Sequence, residues 1–310
     1  MSQTSYAQLE AATYIPTSSN EIVVKGGALE GFSLLIEDPE RRGLIGHLVD
    51  AVGAGATIEE LLSALAVRGH HLAEEDLDDI LTHLVEAGAL KKTGDGEGAA
   101  NAAWQGFVRY GELPPPDLLS TVHVVTSEPT EDILASAQSL GVPVEVFTPD
   151  AYDWAAPEPV LHLGLDSTRT ELLGVNQEAV NAGRPVLYAS MDLVDYRVGP
   201  YVVPGKTACM WETERQWARS SADRSQYETL VRIQELDPRR ESRSAFGQQV
   251  FSSCLAGWLL ELSLRCTSSL VGEVIHGRAT TSSTRRHSVM RLPRCPVCLP
   301  MQPLTRNPLY

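Results

Sequence analysis

Cysteines at two distant places in the chain would, if they act together, tie the end of a domain back onto its middle. Cys295-Pro-Val-Cys298 lies near the C-terminus in the run LPRCPVC, and far upstream GPYVVPGKTACMWE carries Cys209 with Glu212 three positions on. A two-residue spacer lets two thiolates point at one ion, and two such pairs joined by a long insert make a tetrahedral clamp. Glu212 stands where the second cysteine of the upstream pair would be. The predicted donor set is therefore three sulfurs and a carboxylate: Cys209, Glu212, Cys295 and Cys298. A structural zinc is the ion such a set suits, with His287 as another candidate fourth ligand. The alternative is a set of buried thiols at a domain edge. Cys254 and Cys266, around a long apolar segment, read as core residues.

Charge narrows the function classes. The 310 residues carry a formal net charge of −15, which argues against a nucleic-acid partner, because a phosphate-binding surface needs clustered Lys and Arg. No apolar run approaches the twenty residues of a membrane span, and MSQTSYAQLEAATYIPT lacks the charged-then-apolar pattern of a signal segment. Five cysteines, two of them in CPVC, read as reduced thiols in a cytoplasmic protein rather than as a disulfide framework.

Two composition breaks divide the chain. Gly94-Asp-Gly-Glu-Gly98 closes a first region, and Glu112-Leu-Pro-Pro-Pro116 stiffens the approach to a second. The predicted organisation is a domain over 1–98, a linker over 99–117 and a second domain over 118–310. In the first domain, Thr13–Ile15, Glu21–Lys25 and Gly31–Ile36 read as strands with Gly26-Gly27 in the turn. Three helices follow. Arg42–Val52 carries Leu44, Ile45, Leu48 and Val52 on one face. Thr57 and Glu60 form a capping box that opens a helix to about Val67. Ala73–Ala87 places Leu77, Ile80, Leu81 and Leu84 at helical spacing and ends at Gly88. Three strands then three short helices describe a winged helix-turn-helix.

That architecture commonly reads DNA through a basic third helix. Here the helix holds Glu74, Glu75, Asp76, Asp78, Asp79 and Glu86 and no Lys or Arg, and residues 1–100 carry 6 basic against 17 acidic side chains. That count argues against DNA as a ligand. The same architecture can take an extended peptide by strand addition, since an outer strand offers unpaired backbone groups beside a helix-lined groove. Phe32, Leu34 and Ile36 on the third strand, facing Leu77, Ile80, Leu81 and Leu84, are the candidate pockets. The same residues would equally serve as the small domain's core.

The second region alternates strand and helix. Thr121–Val125, Val144–Phe147, Val160–Leu163 and Pro185–Tyr188 read as strands; Glu131–Leu140 and Arg169–Ala182 read as helices. The pattern predicts parallel strands in an α/β sheet. Phe246–Arg265 is a long apolar helix, and Leu270–Ile275 and His287–Arg291 read as closing strands. A nucleotide-binding sheet needs a glycine-rich turn after its first strand so that backbone can approach phosphate. After Val125 the chain reads Thr126-Ser-Glu-Pro-Thr130, with no glycine and with a carboxylate that would repel phosphate.

Three resemblances follow from these residues. TYIPTSSNEIVVKGGALEGFSLLI, with the helices ending in LTHLVEAGALKK, resembles the RiPP recognition element, the PqqD-like leader-peptide-binding domain of ribosomal peptide biosynthesis. GLDSTRTELLGVNQEAVNAGRPVLYAS followed by GPYVVPGKTACMW is similar to the ThiF-like, ubiquitin-activating-type adenylating fold, whose members hold zinc with two CxxC pairs. There Asp166 matches the acidic residue that holds magnesium in active members, with Arg169 and Asn176 after it. The reading of the residues themselves makes Asp166 a helix cap and Arg169 a local ion pair. The combination resembles the leader-binding partner proteins of YcaO cyclodehydratases.

That resemblance implies an α/β protein with an α+β N-terminal domain, no ATP on this chain and no catalytic residue of its own. It implies a precursor leader peptide and a YcaO cyclodehydratase as partners, and a two-fold homodimer inside a larger complex. The YcaO enzyme would use ATP to close Cys, Ser or Thr side chains into azolines. The competing expectation is a ThiF-like adenylating enzyme acting on a peptide or carrier-protein carboxyl terminus.

Overall fold

The computed structural model describes residues 4–9, 12–26, 33–40, 42–93, 96–128, 130–164, 168–192, 194–220, 228–229, 244–292 and 295–298. The chain divides into two compact units, 1–119 and 120–310.

In the first unit, strands β2 (Thr13–Ser18), β3 (Glu21–Lys25) and β4 (Ser33–Glu37) form an antiparallel meander in that order. Helices α1 (Leu44–Val52), α2 (Ile58–Val67) and α3 (Glu74–Glu86) follow. Period-two alternation sends Ile22 and Val24 inward and turns Leu34 and Ile36 toward the same core, where Leu48, Leu61, Leu65, Leu77 and Leu81 are fully buried. The capping box forms as its sequence predicts: Glu60 N–H donates to Thr57 Oγ1 at 3.3 Å, and Thr57 N–H donates to Glu60 Oε2 at 2.8 Å. Asp38 does the same work ahead of α1, accepting the N–H groups of Glu40, Arg42 and Leu44. Burial pushes its carboxyl up, but those donors together hold it below the ordinary value.

Four elements of this unit go beyond the sequence reading. Strand β1 (Ser5–Gln8) runs between β5 (Ala56–Thr57) and β6 (Leu90–Thr93) in a second small sheet. Tyr6 of β1 is fully buried and its hydroxyl donates to Asp78 of α3 at 2.7 Å. The segment read as a linker is also different: Gly96–Tyr110 is helix α4, and it clusters with the first unit. Its Ala99 and Ala102 are buried, Tyr110 packs on the first core, and the Tyr110 hydroxyl donates to Gly88 O at 3.2 Å. The glycines around 94–98 masked an alanine-rich run with high helix propensity. Gly88 itself, at φ 71°, would put any β-carbon into Arg109.

In the second unit a seven-stranded sheet has the order β13-β12-β11-β10-β9-β7-β8. Strands β7 (Val122–Val125), β8 (Val144–Phe147), β9 (Val160–Gly164) and β10 (Val186–Asp192) are parallel, linked through α5 (Glu131–Ser139) and α6 (Arg169–Asn181). Strands β11 (Asp195–Val202), β12 (Glu273–Arg278) and β13 (Ser283–Ser288) continue the sheet antiparallel, so it is mixed rather than wholly parallel. Helix α7 (Met210–Ser220) follows β11, and α8 (Ala245–Arg265) buries Phe251, Leu255, Leu259 and Leu260. Among the described residues no helix is long and apolar enough to cross a membrane.

Candidate functional site

The order β2-β3-β4 leaves β4 paired on one side only, with its outer backbone edge open among the described residues. Leu34 and Ile36 are half-buried and pack on the first core, while Leu35 between them is 52% exposed. On α3, Leu77 and Leu81 are fully buried, Leu84 is nearly so, and Ile80 is partly exposed. Six of the seven candidate pocket residues join one core: Leu77, Leu81 and Leu84 are buried in it, and Leu34, Ile36 and Ile80 pack against it partly buried. Phe32 lies outside the described residues. A pocket of about 550 Å3 opens beside the opposite edge strand, β2, against Gly46, His47 and Asp50 of α1. His47 Nδ1 and His70 Nε2 are 2.8 Å apart, which ties the start of the α2–α3 connection to α1.

In the second unit, the turn after β7 is occupied by the chain's own acids. Glu128 N–H donates to Thr126 Oγ1 at 3.1 Å, Ser127 Oγ donates to Glu171 at 2.8 Å, and Glu131 and Asp132 fill the first turn of α5. A helix N-terminus attracts anions, and here Glu131 and Asp132 of the protein itself stand in its first turn. Asp166 lies outside the described residues. The side-chain cap on α6 is Thr168, which accepts Glu171 N–H at 3.2 Å. Arg169 and Asn176 both face α7: Arg169 Nε lies 3.9 Å from Glu214, and Asn176 Oδ1 accepts Met210 N–H at 2.9 Å. Of the three positions compared with the adenylating motif, Arg169 and Asn176 thus contact the helix that carries Glu212.

Around the start of that helix the predicted donors come together. Potential ligand atoms of Cys209, Glu212, Cys295 and Cys298 all lie within 4.8 Å of one another. Cys209 Sγ and Cys295 Sγ are 3.5 Å apart, close to the roughly 3.8 Å separating two sulfurs on one tetrahedral zinc. Cys209, Glu212 and Cys295 are buried; Cys298 is half-buried. Glu212 sits three residues past Cys209 at the helix start, and its Oε2 accepts Cys209 N–H at 2.8 Å. The same oxygen takes Cys298 Sγ at 3.3 Å, and Oε1 takes Leu292 N–H at 2.5 Å. Burial, with Cys295 adding to it and the Glu212 N–H opposing, pushes the Cys209 thiol up to about 12. An ion would displace the thiol protons while both backbone N–H bonds to the carboxylate stay in place, so the set fits a metal such as zinc.

His287 is not a member of this cluster; it lies on exposed β13. Cys254 and Cys266 are exposed rather than core residues. Cys254, three residues past Phe251 on α8, has its Sγ 3.6 Å from the Tyr196 hydroxyl yet is exposed, and Cys266 ends α8 in the left-handed conformation at φ 51°. A long apolar run hid which face each would take.

No family model matches the chain, and no curated protein matches it. Solved structures do. A heterocyclase in complex with substrate and cofactor is 17% identical, with a TM-score of 0.65 over 96% of this chain and 40% of that one. The heterocyclase TruD is 20% identical, with a TM-score of 0.61 over 95% of this chain and 43% of its own. E. coli MccB is 14% identical, with a TM-score of 0.58 over 95% of this chain and 96% of its own. The chain thus spans about two fifths of each heterocyclase and nearly all of MccB. Other structures of MccB contain ATP or MccA. The fold of this chain is the one that MccB shares with the corresponding part of TruD.

Proposed function

We propose that the chain grips the leader of a ribosomally made precursor peptide and presents it to a separate YcaO cyclodehydratase for azoline formation. The observation that carries this reading is the open outer edge of β4, with Leu34 and Ile36 of that strand and Ile80 of α3 packed, partly buried, against one core. An extended leader adds there as a strand, its backbone paired with β4 and alternate side chains toward that core. Holding the leader raises the effective concentration of the core peptide at the partner's active site, so the chain accelerates the reaction without a catalytic group of its own. The likeness to heterocyclases and to MccB, structures of which include substrate or MccA complexes, supports a peptide ligand. The knuckle holds zinc as a structural ion through Cys209, Cys295, Cys298 and Glu212. It fastens the start of α7 to the chain around Leu292, and the functional complex contains a two-fold pair of these chains.

The test is reconstitution. A YcaO protein, ATP and precursor should give water loss at Cys, Ser or Thr much faster with this chain present. Equal rates with and without it would overturn the reading.

One observation favours a second reading: the likeness to MccB runs nearly the full length of both chains. On that reading the chain is a ThiF-like enzyme that adenylates a peptide or carrier-protein carboxyl terminus. ATP–pyrophosphate exchange by the chain alone would establish it. Glu128, Glu131 and Asp132 at the α5 turn oppose it.

A further inference from the structure

Three buried side chains of the second unit carry polar atoms with no partner among the described residues. These atoms are both ring nitrogens of His162, the Tyr188 hydroxyl and the Asn176 Nδ2. The parallel register sets His162 of β9 directly opposite Tyr188 of β10, so both point to one face of the sheet, with ring centroids 5.5 Å apart. Helices α6 and α7 cover that face. Val160, Val186 and Tyr188 of the strands form one core there with Val175 and Ala179 of α6, and with Cys209 and Met210 at the start of α7. Asn176 stands next to Val175 on α6, and its Oδ1 accepts Met210 N–H at 2.9 Å. That bond fixes which way the amide points and leaves Nδ2 without a partner. Two residues past His162, Gly164 is buried on the same face and sends no side chain into the layer.

Buried polar groups of native proteins are nearly always hydrogen-bonded. Leaving three such side chains bare would consume a sizeable share of the margin by which a domain is stable. A direct bond between His162 and Tyr188 would still leave Asn176 Nδ2 bare. Each of the three residues is at most 2% exposed, so a ligand shared by them has to be small. It also has to donate and accept. Burial holds the His162 ring at about 4, so the ring is neutral at pH 7 and offers one N–H and one lone pair. The tyrosine hydroxyl offers both roles, and the Asn176 Nδ2 only donates. A metal ion does not meet these needs: the group able to hold one among the described residues is the cysteine cluster, to which His162 does not belong. Water does meet them.

We propose that the layer between the sheet and helices α6 and α7 is an internal water site, in which bound water bridges His162, Tyr188 and Asn176. The bridge ties β9 and β10 to α6, and through the Asn176–Met210 bond to the start of the helix that carries Glu212. It lies in the second unit and depends neither on leader binding by the first nor on metal in the knuckle.

The experiment counts long-lived internal waters in the full chain by oxygen-17 magnetic relaxation dispersion, in the unmutated protein and in Tyr188→Phe and His162→Leu. The expected result is a loss of at least one such water in each variant, with Cys254→Ser, at an exposed thiol, keeping the full count. A crystal structure of the unmutated chain needs no variant to fold. It should show water about 3 Å from a His162 ring nitrogen, and water at the same distance from the Tyr188 hydroxyl and from Asn176 Nδ2. Equal water counts in the unmutated chain and in both variants would overturn the proposal. So would a crystal structure in which protein groups alone bond these three side chains, or one in which a solute other than water fills the layer.

Discussion

Glu212 is one side chain with three donors on it, and that explains why a carboxylate can stand where a fourth cysteine is expected. Its oxygens satisfy two buried backbone N–H groups, at Cys209 and Leu292, besides approaching Cys298. Removing it orphans both. Glu212→Ala should therefore lower stability by about 2–4 kcal/mol, measured by urea unfolding, with or without metal. If the knuckle holds zinc, elemental analysis of the purified chain should find one ion, and Cys295→Ser should lose it; Glu212→Cys should retain it more tightly against a chelator. A buried histidine gives a second residue-scale prediction. His162 is fully buried and neither ring nitrogen has a partner among the described residues, so burial drives its pKa from 6.5 down to about 4. The unfolded chain takes up that proton first as pH falls. Its contribution is intact above pH 6.5 and is lost progressively down to about pH 4, by on the order of 3 kcal/mol. His162→Leu should flatten the unfolding free energy across that window relative to the unmutated chain, and an unchanged pH profile would contradict this account.

At the scale of elements, helix α4 turns a stretch that reads as a tether into part of the first unit. Tyr110→Ala should cost about 3 kcal/mol by removing an aromatic ring from the core it covers, whereas a true linker would tolerate the change. On the proposed peptide-binding face, Ile80 of α3 is only partly buried. Ile80→Asp should weaken leader binding by about tenfold or more while shifting the melting temperature little, since the aspartate can reach solvent. Strong local signals were legible in the sequence. The Thr57–Glu60 capping box, the β3 and β8 boundaries and the strand–helix alternation all stand where periodicity and turn chemistry put them. Weak local signals were not. Strand β1 has four residues and no alternation of its own, and it exists because Tyr6 reaches the core and Asp78. Strand β11 carries a glycine and a proline and is held by β10 and β12 rather than by propensity. The cysteine cluster was legible because its motif spacing is rigid, whereas the faces of Cys254 and Cys266 depended on how α8 rotates in its packing.

At the scale of the whole molecule, the second unit is a seven-stranded mixed sheet whose first strand, β7, is followed by a turn without glycine. Glu131 and Asp132 stand in the first turn of α5, and Arg169 and Asn176 contact α7. What remains available is the open β4 edge of the first unit, in an N-terminal region too acidic for nucleic acid. The proposed function therefore rests on peptide binding rather than on nucleotide chemistry. The most direct test titrates the full chain calorimetrically with a precursor encoded beside its gene, and with that precursor lacking its leader. The account predicts binding at micromolar affinity or tighter that requires the leader. Equal binding of the leaderless core, or no binding of any neighbouring precursor, would contradict it.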